Sequence, residues 1–531
     1  VEGTFGGHFL AALIALPALG AVVTLFCRSA AAARSAALLF HGTAVGMSLI
    51  LPVLYDWKVV GEYSNEPGRG VVQLVLRGEW VRALGVEFFI GMDGLSLPLL
   101  ILTTVICLLA CVTSGTVQRL ARGYYALLLL LESAVLGAFC ALDLFLFFVL
   151  FEVALVPMYL LIGMWGGPRR EWAAMKFLLF ALCGSVVLLI GIVGLHLYGR
   201  SVVPGGTFDL VRMAGREFQD GLAQVLPGGL GGGTATLLYG LILFGLLVKL
   251  PAVPLHAWLP DAHTEAPTPM SMILAGVLLK LGGYGVLRVA QPLFPEAAVS
   301  TWQIVAFLGA FGFIYGSLVA LAQTDLKRLV AYTSVSHMGL VLVGASTFTH
   351  SGTSGAIFGM VAHGIIVSGL FLIAGVVQSR VGHRDLERLG GLAGDLPVGS
   401  SLSIVLLLAN LGLPGLCGFI GEFLVLLGVL GASRHDSTLM LAGMTTPAWL
   451  YGLAATTAAG MILTAGYSVV AIQKVFFGSP GESRPTVPDV AGAERGVLLT
   501  LMLLAIALGV LPGLLVLSMT SQTVRAMLAL Y

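Results

Sequence analysis

Apolar runs of twenty or so residues recur along almost the whole chain, separated by short polar or Gly/Pro-containing stretches. About twenty such residues suffice for a helix to cross a bilayer. On that measure the sequence predicts about fourteen spanning helices. They lie near 8–27, 36–56, 95–115, 123–142, 143–164, 174–198, 235–258, 269–291, 301–322, 329–349, 354–379, 399–430, 449–475 and 496–519. Two of them look broken. Lys249 is followed by Pro251 and Pro254 in the seventh, and the twelfth contains LGLPGLCGFIGEF at 411–423. Irregular backbone at membrane depth survives only where protein or a water-filled cavity satisfies it. Broken helices at matching places mark inverted-repeat transporters. Counted from the fourth span, the seventh and twelfth hold the same place in two five-helix units. The expected fold class is therefore an all-α polytopic membrane protein with two inverted five-helix repeats. Residues 1–122 carry the N-terminal helices and an outside loop, 123–291 the first repeat, 301–475 the second, and 476–531 a C-terminal loop and the last helix.

Composition agrees with that pattern. The chain is 58% hydrophobic and 10% charged, with a mean hydropathy of +1.00, a balance outside the range of soluble domains. A formal net charge of +1 gives no electrostatic case for a nucleic-acid partner. Basic residues cluster in the odd-to-even connections: Arg28 and Arg34, Arg119 and Arg122, Arg169 and Arg170, Lys327 and Arg328, Arg380, Arg384 and Arg388, then Arg484 and Arg495. By the positive-inside rule those connections face inside and both termini face outside. Residues 8–27 lack a basic leader segment and read as the first span rather than a cleaved signal. Alanine, glycine, leucine, valine and arginine usage points to a bacterial plasma membrane. Cys27, Cys107, Cys111, Cys140, Cys183 and Cys417 form no CxxC pair and read as packing residues, so no metal site and no intrinsic cofactor is expected. His256 and His263 lack metal-ligand spacing, and Asp261, Thr264 and Glu265 read as helix caps or links at the membrane face.

Against this apolar background a few ionisable residues stand out. Lys249 and Lys280 lie inside spans, where a charge costs a few kcal/mol or more and marks a functional site. The chain holds 21 Arg and six Lys, so the use of Lys there is informative. A desolvated Lys releases its proton, whereas Arg effectively does not. Glu152, mid-span in FFVLFEVALVPMYLL, needs a partner from another helix, and Lys249 is the candidate for a switchable ion pair. Glu422 sits beside the break in the twelfth span, within reach of a hydrated cavity. His337 and His363 lie in apolar spans with Ser334, Ser336 and Ser368 nearby, and imidazole passes protons at near-neutral pH. Glu132 is a further intramembrane acid with either a packing or a functional role. Asp143 reads as interfacial.

These segments carry a family resemblance. KLPAVPLHAWLPDAHTEAPTPMSMILAGVLLKLGGYGVLR (249–288) resembles the core of the antiporter-like subunits of respiratory complex I, and most closely the chain-M (ND four) type. GMDGLSLPL (91–99), FFVLFEVALVPMYLLIGMWG (147–166), DLKRLVAYTSVSHMGLVLVG (325–344) and LPGLCGFIGEF (413–423) follow in the family's order. The motif LPDAHTEAPT followed by LLK, with Glu422 rather than Lys in the twelfth span, is specific to chain M. Ending at Tyr531 soon after the last span, the sequence does not resemble chain L, which continues into a long lateral helix.

The resemblance implies roles: Glu152 and Lys249 as the fifth-span and seventh-span ion pair, Lys280 as the central lysine, His337 and His363 as relays, and Glu422 as the terminal acid. It implies a proton-translocating subunit of NADH–quinone oxidoreductase, flanked by chains L and N. FMN, the iron–sulfur clusters and quinone are then bound by partner subunits. A multi-subunit cation/proton antiporter shares this core, as does the membrane arm of a hydrogenase-linked complex. A helical scaffold would not need six buried titratable groups.

Overall fold

The computed structural model describes the chain except at residues 1, 4, 60–62, 65–69, 435–436, 444 and 479–486. Arg484 falls outside the described residues. Among the described residues, twelve helices are long and apolar enough to cross a membrane. They are α1 (Phe5–Leu25), α2 (Ala30–Leu54), α3 (Ser96–Thr113), α4 (Ala121–Cys140), α5 (Leu144–Trp165), α6 (Arg170–Val202), α8 (Thr268–Leu293), α9 (Trp302–Leu321), α10 (Leu326–Ser346), α11 (His350–Val381), α14 (Pro447–Phe476) and α15 (Gly492–Val510). Shorter apolar helices among the described residues are α7 (Gly233–Lys249), α12 (Pro397–Asn410) and α13 (Cys417–Gly431). Helices α8, α10 and α11 are almost wholly buried and form the centre, while only about a third of α1, α6, α14 and α15 is covered by the chain itself.

Both expected breaks are present. Helix α7 stops at Lys249 and helix resumes only at Leu259–Glu265. The last carbonyls of α7 are taken up locally: Leu250 N donates to Leu246 O, Ala252 N to Leu247 O, and the Trp258 indole to Val248 O at 3.0 Å. The second break separates α12 from α13 at residues 411–416, where Leu413 N donates to Leu408 O. Helix α8 is continuous but carries two widened turns, Leu274–Leu278 and Val286–Ala290. Such turns concentrate at functional positions. Gly282 lets α8 approach the first break closely, since a Cβ there would lie 2.5 Å from Leu250 N.

The two ends of the bundle differ. At one end lie the Lys176–Asp261 (2.6 Å), Arg328–Asp261 (3.4 Å), Arg169–Glu265 (3.5 Å) and Arg384–Asp325 (3.1 Å) ion pairs. Asp261 and Glu265 thus link helices, as expected. At the other end the N-terminal residues and the connection after α2 form a small antiparallel sheet that the apolar pattern did not foretell. Its strands are β1 (Glu2–Gly3), β2 (Gln73–Val81) and β3 (Val86–Met92), in the order β1-β2-β3. The glycine-rich connection after α6 folds into two short helices, Leu210–Ala214 and Arg216–Val225.

One local motif occurs twice, at opposite ends. Asp143 caps α5 by accepting from Phe145 N and Leu146 N, and its strand-like neighbours pair with residues around Asp209. Asp325 caps α10 by accepting from Lys327 N and Arg328 N, and pairs in the same way with Asp385. Asp143, expected at the interface, is fully buried in this role. The final span is shorter than the expected 496–519. Helix α15 ends at Val510, ahead of Pro512, which has no N–H to continue the ladder. A further helix, Ser518–Leu528, then packs inward, with Gly94 N donating to Thr523 Oγ1 at 2.8 Å.

Candidate functional site

The central helices bring four of the singled-out residues into one line. Lys280, with no solvent exposure, lies between the two widened turns of α8. Its Nζ donates to Ala275 O and meets His363 Nδ1 on α11 at 2.7 Å. The other His363 nitrogen, Nε2, is buried without a hydrogen-bond partner. The His363 and His337 rings lie 5.4 Å apart. His337, on α10, is anchored through Nδ1 to Thr333 O at 2.9 Å and points Nε2 at Glu422 Oε1, 3.7 Å away. Glu422 stands on α13 beyond the second break, 5% exposed. A cavity of about 20 Å³ joins His337, His363, Asn410 and Glu422. That is room for about one water. An imidazole that takes a proton on one nitrogen and gives it up from the other suits such a line.

Lys249 and Glu152 stand apart from that line, near each other but not in direct contact. Lys249 Nζ donates to Phe151 O at 2.6 Å and sits 3.3 Å from the Phe151 ring centroid, a cation–π contact. The α5 ladder is interrupted at Ala154, and there the Phe151 carbonyl accepts from the lysine. Glu152 instead accepts from Ser185 Oγ on α6. Among the described residues no direct ion pair joins Glu152 and Lys249, although they approach from adjacent helices.

Glu132 is not on the line. It pairs with His41 of α2 at 2.6 Å, and neither side chain has any exposure. His41 was passed over in the sequence because nothing nearby in the chain marks it. Two further buried groups were also missed. Lys327 looks like a loop cation beside Arg328, yet its Nζ is buried against Ala266 O at 2.5 Å. His263, with no exposure, stacks on Phe371 (4.4 Å) within the electrostatic reach of Lys327 and Lys280. Its place in a membrane-face segment disguised it. All six cysteines are unpaired, and among the described residues no three His, Cys, Asp or Glu side chains gather as a metal site.

Comparison with known proteins gives this geometry a family. The profile described as "NADH:quinone oxidoreductase/Mrp antiporter, TM" matches residues 141–467, more than half the chain. NADH-quinone oxidoreductase subunit M of Rhodobacter capsulatus is 38% identical over 451 residues, covering 85% of this chain and 83% of that protein. The chain belongs to the antiporter-like M subunits of NADH–quinone oxidoreductase. Another member, NAD(P)H-quinone oxidoreductase chain 4 1 of a Synechococcus strain, is 39% identical over 446 residues, covering 83% of this chain and 80% of that one. Among solved structures, a chain of respiratory complex I from Thermus thermophilus with bound NADH superposes with a TM-score of 0.81. It is 30% identical, and the match covers 98% of both chains. The profile spans both breaks and every member of the line, whereas His41 and Glu132 lie ahead of it.

Proposed function

We infer that this M subunit moves protons across the membrane as part of an NADH–quinone oxidoreductase, while its partners carry the redox chemistry. The observation that supports this best is the buried line Lys280–His363–His337–Glu422, which runs from a continuous central helix to a broken one. Its lysine end is enclosed and its carboxylate end reaches a cavity. In this reading a proton enters from the inside and rests on Lys249 or Lys280. It then passes through His363 and His337 to Glu422 and the outside.

Glu152 acts as the switch. Ser185 holds it away from Lys249; swung across, it would hold a proton on the lysine, and withdrawn, it lets burial expel that proton. Each charge moved against the membrane potential costs about 2.3 kcal/mol per 100 mV. A change of roughly two pKa units supplies that much, so opening and closing one buried pair is sufficient. FMN, iron–sulfur clusters and quinone belong to partner subunits in this scheme, and chains L and N are the expected neighbours in the bilayer. Two inverted five-helix repeats, 123–291 and 301–475, place the breaks at α7 and at α12–α13 in fourteen spans. The aspartate-capped pairings at Asp143 and Asp325, at opposite ends of the bundle, support that symmetry. Both termini then face outside a bacterial plasma membrane.

The test is the tagged complex in proteoliposomes, supplied with NADH and quinone and read by a pH-sensitive dye. The intact complex should build a pH gradient. Lys249→Ala, Lys280→Met and Glu422→Gln should each depress the gradient together with NADH oxidation. An assembly that oxidises no NADH but exchanges cations for protons would replace this reading with a multi-subunit antiporter.

A further inference from the structure

Above Lys280, on the way to the end that carries the β-sheet, a second route is at hand. One turn along α8 comes Tyr284, whose hydroxyl donates to Phe139 O (2.9 Å) and lies 3.3 Å from Ser96 Oγ. Ser96 in turn adjoins Asp93, whose Oδ1 accepts from Ser96 N. Hydroxyls ending on a carboxylate are a serviceable proton path. If this one were open, a proton leaving Lys280, whose Nζ rests on Ala275 O and His363, would have a way along α8 to the sheet-bearing end that bypasses His363, His337 and Glu422.

Arg288 occupies that route. It lies eight residues beyond Lys280, about 12 Å along the helix, inside the second widened turn of α8, and is 1% exposed. Its Nη2 donates to Asp93 Oδ1 (2.5 Å) and Ser96 Oγ (3.3 Å), its Nη1 to the Tyr63 hydroxyl (2.5 Å), and its Nε to the Tyr284 hydroxyl (3.0 Å). A guanidinium offers donors only and effectively never gives up its proton. It therefore donates to an oxygen of Tyr284, Ser96 and Asp93, leaving only Asp93 Oδ2 of that carboxylate without a partner, and cannot itself relay. Its fixed positive charge also repels an arriving proton, as arginines in selective pores do. Stability alone is a poor reason for such a pair, because apolar residues of similar volume would serve as well.

We propose that Arg288, locked on Asp93, is a proton seal: it closes the straight path from Lys280 to the outer end and so forces protons through the histidine line. The inference rests on the proton-translocating reading above and gives the GMDGLSLPL segment around Asp93 a role. Removing the guanidinium would leave Asp93 as an uncommitted buried acid at the top of the path.

The experiment measures passive proton leak in proteoliposomes of the whole complex, with an imposed pH gradient and no NADH, for Arg288→Lys, Arg288→Met and Asp93→Asn/Arg288→Met. Arg288→Met should leak several-fold faster than the parent complex while still reducing quinone. Arg288→Lys should stay tight, and the double substitution, which removes the freed carboxylate, should restore tightness. A tight Arg288→Met overturns the proposal. So does a double variant as leaky as the single one, because loose packing would then account for the leak. If Arg288→Met fails to assemble, Arg288→Gln, which loses the fixed charge, should leak faster than Arg288→Lys, and a Gln variant as tight as the parent overturns the proposal. Because the assay omits NADH, its failure is distinct from a parent complex that never pumps.

Discussion

The two spanning lysines are held by different means. Lys280 faces a neutralisable partner, His363, while Lys249 rests on a backbone carbonyl and an aromatic face. Lys249 is therefore poised to be taken by Glu152 once that carboxylate leaves Ser185. Ser185→Ala should free Glu152 to close on the lysine. Losing one hydrogen bond of about 1 kcal/mol corresponds to roughly a fivefold slower pumping rate. The dye assay should find that slowing with assembly intact, and an unchanged rate would deny Ser185 a part in the switch. The His41–Glu132 pair has another character. The thiols of Cys107 and Cys111 lie within electrostatic reach of this pair. His41→Ala would strand a buried carboxylate at a cost of about 3–5 kcal/mol. It should lower the melting temperature of the solubilised complex, whereas His41→Leu/Glu132→Met should recover most of the loss.

At the scale of elements, the second break positions the exit acid. Gly412 has φ +80°, a conformation that side-chain-bearing residues rarely adopt, and a Cβ there would lie 2.4 Å from Glu422 Oε2. Gly412→Ala should displace Glu422 and abolish pumping while the complex still assembles. Retained pumping would mean that the carboxylate has another resting place. Helix α12 is capped from a distance. Asp489, ahead of α15, accepts from Val398 N (2.8 Å) and Gly399 N (3.0 Å), two of the unsatisfied donors at the start of α12. Slight burial raises its pKa, but the amides of Gly399, Val398 and Val490, with Arg380, outweigh that and hold it below the ordinary 3.8. A depressed folded value means that the stabilisation is present above 3.8 and fades as pH falls through the lower folded value. Asp489→Asn should therefore lower the melting temperature near neutrality, with the difference from the parent shrinking as pH drops below 3.8.

Across the whole molecule, the line is assembled from α8, α11, α10 and α13, so its members act as one relay. Knocking out one member of such a unit costs nearly as much as knocking out two. Lys280→Met/Glu422→Gln should accordingly pump no worse than the poorer single variant, and additive losses in the dye assay would indicate two separate routes. The breaks were legible in the chain because Pro251, Pro254, Pro414 and their glycines cannot continue a helix between polar-poor runs. Lys249, Lys280 and Glu422 were legible because a charge inside an apolar run is conspicuous. Their partners were harder to read. His41, Lys327 and His263 carry no local signal, since a buried polar residue is recognised only by what surrounds it in space.

By itself the sequence determined that this chain is a bundle of membrane helices with two interruptions, and which few ionisable groups lie at depth. Hydrophobic length and helix-breaking residues are local properties, readable residue by residue. Only the tertiary structure decided that His363 meets Lys280, that Glu152 is held by Ser185 away from Lys249, and that Arg288 reaches back 195 residues to Asp93. Those contacts depend on helix rotation and on the close approach allowed at positions such as Gly282, set by packing between elements far apart in the chain.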